Sequence, residues 1–97
     1  MPHLPRPAIV HRAKKFKSSH AKLPHDIQET VDAMIKLMEK DWTDDFLDKK
    51  KMGGYPAKWR FKVNAQYRMT ADKLDGDEFI LEFVGTKNEF KKRYGGS

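Results

Sequence analysis

From Lys58 onward apolar and polar residues alternate, with Trp59, Phe61 and Val63 on one side of the chain and Arg60 and Lys62 on the other. A period of two marks a half-buried strand and predicts strands near 58–63, 67–73 and 78–84, an antiparallel meander. Earlier in the chain the period is helical. Ile27, Val31, Met34, Ile35 and Met38 recur on one face, Pro24 suits a first-turn position, and Asp26 and Glu29 suit the positive end of a helix dipole, which predicts a helix over 24–40. A shorter, strongly basic helix is expected over 12–22, and Ile9-Val10-His11 reads as a short strand after a proline-bearing extended arm, residues 1–8. Trp42 to Lys51 is expected as a helical turn covering a core edge, ended by Gly53-Gly54. Residues 87–94 are expected to form a final turn of helix, with a flexible tail at 95–97.

A one-residue slip would send each apolar side chain to the wrong face, so the pattern constrains register. It sets Val63 opposite Tyr67 and Lys62 opposite Arg68, across a loop at 64–66. In the next hairpin the loop Leu74-Asp75-Gly76 is expected, with Lys73 opposite Asp77, Met69 opposite Leu81 and Arg68 opposite Glu82. The expected buried face holds Trp59, Phe61, Val63, Tyr67, Met69, Ala71, Phe79, Leu81 and Phe83. The expected open face carries Arg60, Lys62, Arg68, Thr70 and Glu82. The fold class is therefore α+β: two N-terminal helices packed on one face of a small, mainly antiparallel twisted sheet made of the C-terminal meander and a short N-terminal strand.

At 97 residues the chain supports a single domain over 1–97. It has no cysteine, so disulfides and thiolate metal sites are excluded, and no apolar run approaches the length of a membrane span or a signal peptide, from which a cytoplasmic location is expected. Charge changes the picture more. Residues 24–48 carry eight acids against Lys36 and Lys40, while the whole chain has a net charge of +6. The remainder is thus strongly cationic, the footprint of a molecule with one anion-seeking surface.

The four histidines lie in the first quarter without metal-ligand spacing, and no phosphate-binding glycine loop or nucleophile elbow is present, so no metal or cofactor is expected. What remains is a cationic strand face with Arg60 and Arg68 as phosphate clamps and Lys62, Lys87 and Tyr94 as proton-transfer candidates. RNA cleavage needs little more. The ribose 2′-hydroxyl is an internal nucleophile, and a protein must align it, remove its proton, stabilise the pentavalent state and protonate the leaving oxygen. Neighbouring cations are expected to draw the Lys62 ammonium toward neutrality. A non-catalytic nucleic-acid face is equally compatible with these residues.

Lys15-Phe16, Leu23-Pro24 opening a long helix, Trp59-Arg60-Phe61-Lys62-Val63-Asn64, Gln66-Tyr67-Arg68-Met69, Ile80-Leu81-Glu82-Phe83-Val84-Gly85 and a basic tail ending at Tyr94 together resemble the RelE/ParE superfamily of bacterial toxins over residues 15–94. The resemblance implies the toxin of a toxin-antitoxin system. In its RelE-like branch it implies a metal-independent, ribosome-dependent endoribonuclease (an mRNA interferase) that cuts messenger RNA in the A site. The implied working residues are Arg60, Lys62, Arg68, Lys87 and Tyr94. Position 87 is lysine where RelE-like nucleases often have arginine, and no histidine occurs in the C-terminal half. The ParE-like alternative is a DNA gyrase inhibitor without nuclease activity; an inactive toxin homologue is a third. Implied partners are a cognate antitoxin protein and the 70S ribosome, with Lys14, Lys15, Lys17, Lys49, Lys50, Lys51, Lys91, Lys92 and Arg93 as candidate RNA contacts.

Overall fold

The computed structural model describes residues 3–95; the outer residues of the expected arm and tail lie outside them. The elements run β1 (Ile9–Arg12), α1 (Lys14–Ala21), α2 (His25–Asp41), β2 (Lys49–Lys51), β3 (Lys58–Lys62), β4 (Tyr67–Leu74), β5 (Glu78–Thr86) and α3 (Lys87–Tyr94). The five strands form one sheet in the order β1-β5-β4-β3-β2, antiparallel except for the β1–β5 pair. This is the α+β class read from the sequence. No helix among the described residues is long and apolar enough to cross a membrane.

The helical period of α2 buries Ile27, Val31, Ile35 and Met38, which with Phe16 of α1 cover Phe61, Met69, Ala71, Phe79 and Leu81 on one face of the sheet. Ahead of β1, residues 3–7 have no regular structure but are anchored to the end of α2. The backbone N–H of Arg6 donates to Asp41 Oδ1 (3.0 Å), His3 Nε2 lies 2.7 Å from Asp41 Oδ2, and the Trp42 N–H donates to the Arg6 carbonyl.

Three expectations are corrected. Residues 42–51 do not end as a helical turn, because Lys49–Lys51 pair with β3 as a fifth, edge strand. Charged side chains on such an edge, lysine above all, discourage pairing with another chain. In the second hairpin Lys73 stands opposite Phe79, not Asp77, and the loop is 75–77, with Gly76 at φ 72°. An alternating pattern fixes which face a residue takes, but a slip of two residues preserves every face, so alternation could not choose between these registers.

The third correction follows from a bulge. Ala71 pairs with Leu81 but Thr70 pairs with Phe83, leaving Glu82 unpaired. The extra residue reverses the alternation along β5. Val84 therefore joins the core under α1 and α2, while Phe83 turns to the other face, where it packs with Met52, Phe90 and Tyr94 beneath α3. Arg68 stands opposite Gly85, not Glu82. The face expected to be open is half covered: α3 lies on it, and Thr70 is fully buried.

Candidate nucleic-acid interface

The first hairpin has the register its pattern predicts, with Lys62 opposite Arg68 and Arg60 opposite Thr70. Its turn is locked by the Asn64 side chain, whose Oδ1 accepts from the N–H groups of Gln66 and Tyr67 at 2.8 and 2.9 Å. Lys50 of β2 stands opposite Arg60, so one face carries two cross-strand pairs of like charge, Lys50–Arg60 and Lys62–Arg68. Like charges directly opposite destabilise a sheet, so this face concentrates positive charge at a cost to the pairing.

Arg68 is the centre of that arrangement. It is 9% exposed, and its Nη1 donates to the carbonyls of Asn64 (2.6 Å) and Tyr67 (3.0 Å). Among the described residues no carboxylate lies within ion-pairing distance of Arg68, Arg60, Lys62 or Lys87. Burial, and then the charge of Arg60, pull the Arg68 guanidinium below its ordinary value, with Asp48 acting weakly in the opposite sense. An arginine does not lose its proton at such sites, so Arg68 keeps its charge. The Lys87 backbone N–H donates to the Gln66 carbonyl (2.8 Å), which sets the start of α3 beside the same turn.

Beside this cluster lies a network that the sequence reading did not single out. Lys58, 7% exposed, donates to Asp72 (2.8 Å) and Glu82 (2.7 Å), and its ammonium lies 5.8 Å from the centre of the Tyr94 ring. Burial pulls the Lys58 ammonium down, but the hydrogen bonds and charges of Asp72 and Glu82 outweigh it and leave it raised. Glu82 is the mirror case: burial pushes its carboxyl up, and bonds from Lys58 and Tyr94 hold it lower than usual. The register of the first hairpin already sets Lys58 opposite Asp72, a signal that could have found this pair.

Tyr94 belongs to that network and not to the exposed cluster. It is 7% exposed, its hydroxyl donates to Glu82, and it shares a 2.9 Å hydrogen bond with Thr70. Burial, then the Glu82 carboxylate, push the phenol upward. The helix that carries it is fixed at its start by a Thr86–Glu89 capping box. Gly85 makes this fit possible, since a Cβ there would lie 2.7 Å from Phe83 and 2.9 Å from Glu89.

The remaining cations are dispersed. Lys14, Lys15 and Lys17 are exposed on α1, Lys91, Lys92 and Arg93 on α3. Lys15 and Arg93 share the rim of a cleft of about 570 Å³ floored by Val84 and Gly85. Strand alternation splits β2: Lys50 faces Arg60, whereas Lys49 and Lys51 face the other side. No three His, Asp or Glu side chains converge among the described residues.

No protein-family model matches the sequence, and no curated protein does. Solved structures do match in fold. A chain of the RelB-RelE antitoxin-toxin complex from Methanococcus jannaschii superposes with a TM-score of 0.73 at 20% identity, over 87% of this chain and 98% of that one. A mutant of the E. coli toxin RelE in the free state gives 0.69 at 16% identity, over 93% of both chains. YafQ from E. coli gives 0.66 at 10% identity, over 86% of this chain and 97% of that one. The helices, the five-stranded sheet and these superpositions together give this chain the fold of the RelE-like toxins.

Proposed function

We propose that this protein is the toxin of a toxin-antitoxin pair and cleaves messenger RNA in the ribosomal A site through attack of a ribose 2′-hydroxyl. The observation that carries the reading is Arg68, a buried guanidinium that donates to backbone carbonyls, with Arg60 and Lys62 beside it and, among the described residues, no carboxylate against it. A buried charge without a counter-charge is costly, and a phosphodiester supplies one. Arg68 and Arg60 clamp the scissile phosphate and stabilise its pentavalent state. Lys62 and Lys87, both exposed, serve proton transfer, while Tyr94 acts as a positioning residue through Glu82. The nucleophile belongs to the substrate, so these roles need no metal. The exposed lysines of α1 and α3 suit ribosomal RNA phosphates, and an acidic segment of an antitoxin would neutralise the Arg60/Lys62/Arg68 face.

Cell-free translation of a defined message followed by primer extension tests this. The wild-type chain is expected to create new message ends, and Arg68→Ala to lower their yield about a hundredfold, equivalent to ~3 kcal/mol of transition-state stabilisation. Translation arrest without new ends would exclude cleavage, and full activity of a folded Arg68→Ala protein would exclude the site. One observation favours the gyrase-directed reading: the Tyr94 hydroxyl is engaged with Glu82 and Thr70, leaving only lysines to move protons. Inhibition of gyrase supercoiling by the purified chain, with no RNA cleavage, would select it.

A further inference from the structure

The face of the sheet opposite Arg60 and Arg68 carries a second combination of cations and an aromatic ring. Lys51 stands directly opposite Trp59 on the β2–β3 pair, and Trp59 stands opposite Ala71 on β4. Lys73, two residues beyond Ala71, shares that face. The helical layer reaches this end of the sheet through Trp42, whose ring meets Trp59 edge to face at 6.1 Å. Beyond that contact a cleft of about 380 Å³ opens, lined by Lys51, Pro56, Trp59, Lys73, Leu74 and Asp75. Trp59 is only partly buried there, whereas Trp42 is 8% exposed.

The cations of this cleft have no carboxylate partner among the described residues, although the Lys73 ammonium lies 5.6 Å from the centre of the Trp42 ring. Lys51 is exposed and has no carboxylate within ion-pairing distance among the described residues. The Lys73 ammonium donates to the Gly76 carbonyl (2.6 Å) and likewise touches no carboxylate. A partly exposed indole in a cleft that two lysines also line is the composition that holds single-stranded nucleic acid, the base stacking on the ring and the phosphates meeting the cations. The volume falls within the range of small-ligand clefts, about 300–1,000 Å³. Asp75 on the rim repels phosphate but accepts from an exocyclic amine, which favours an amino-bearing base over uracil.

We propose that this cleft binds an unstacked, amino-bearing nucleotide of an RNA strand, at a site separate from the scissile phosphate and on the other face of the sheet. The proposal rests on the RNA-directed reading above but uses none of its residues. In effect the lysine run of β2 serves both faces: Lys50 joins Arg60, and Lys51 joins Trp59.

The test is a fluorescence titration of the Trp42→Phe chain, in which Trp59 is the one remaining indole. The probe is a 2′-O-methyl oligoadenylate, which has no 2′-hydroxyl to attack. Trp59 emission is expected to be quenched by the oligoadenylate but not by inorganic polyphosphate of equal charge. Lys51→Glu/Lys73→Glu, which leaves the indole in place, is expected to weaken the quenching titration at least tenfold, while Arg68→Ala leaves it unchanged. Should Trp42→Phe fail to fold, the same titration on the wild-type chain, compared with Trp59→Leu, reads the same signal. Unchanged quenching in the double lysine variant would overturn the proposal, as would quenching by polyphosphate or by polyglutamate in place of the oligoadenylate. A photocrosslinker at Lys51 on programmed ribosomes supports it if it captures message or ribosomal RNA and opposes it if it captures only protein. Cleavage without quenching removes this cleft alone, and quenching without cleavage removes the nuclease reading alone.

Discussion

Two buried cations on one sheet face have opposite uses, and their neighbours decide which. Lys58 touches two carboxylates and two aromatic rings, so its charge is consumed by the fold. Arg68 hydrogen-bonds carbonyl oxygens and, among the described residues, meets no carboxylate, so its charge is not neutralised within the fold. Substituting Lys58→Met removes the counter-charge of Asp72 and Glu82. Breaking a fully buried pair costs about 3–5 kcal/mol, and the partial exposure of both carboxylates reduces this to about 2 kcal/mol, measurable by urea denaturation. A loss below a few tenths would show that the network is not structural. The candidate residues Arg60, Lys62 and Arg68 were legible because one hairpin with a clear alternation fixes all three. The burial of Arg68 was not, since alternation says which face a side chain takes and not how deeply it is covered.

At the scale of elements, α3 shows how a short, hydrophilic segment is held. Eight residues are too few for an isolated helix in water, so its stability comes from the capping box, the αL cap at Gly95 and the burial of Phe90 and Tyr94. Tyr94→Phe keeps the ring but removes the hydroxyl shared by Glu82 and Thr70. It is expected to cost about 1–2 kcal/mol and to speed amide exchange in α3 relative to α2. If α3 exchange is unchanged, the hydroxyl does not hold the helix. The Thr86-x-x-Glu89 spacing announces this helix in the sequence, as the helical period announces α2. Strand β2 had no such signal. Three lysines carry no alternation of polarity, and only the pairing with β3 makes them a strand.

For the whole molecule, pH reads the polar network from both sides. The Glu82 carboxyl is depressed in the folded chain, so the stability it supplies is complete above its unfolded value near pH 4 and is lost as pH falls through the folded value. Lys58 and Tyr94 are raised, so theirs is complete below about pH 10 and is lost as pH rises through the folded values. The stability difference between wild type and Lys58→Met is therefore expected to be constant from about pH 5 to 9 and to shrink on either side, in thermal melts across that range. A difference that changes steadily between pH 6 and 8 would contradict the assignment. The sequence by itself determined the α+β class, the two helices, the first hairpin with its register, and the cationic strand face, because each depends on periodicity or on contacts close along the chain. Only the tertiary structure decided the fifth strand, the bulge at Glu82, the turning of Phe83 and Tyr94 beneath α3, and the cleft at Trp59. A period of two cannot see a two-residue slip, an inserted residue that reverses the faces, or where the helical layer stops. Those depend on which side chains fill the space between sheet and helices, and that is settled only when the layers pack.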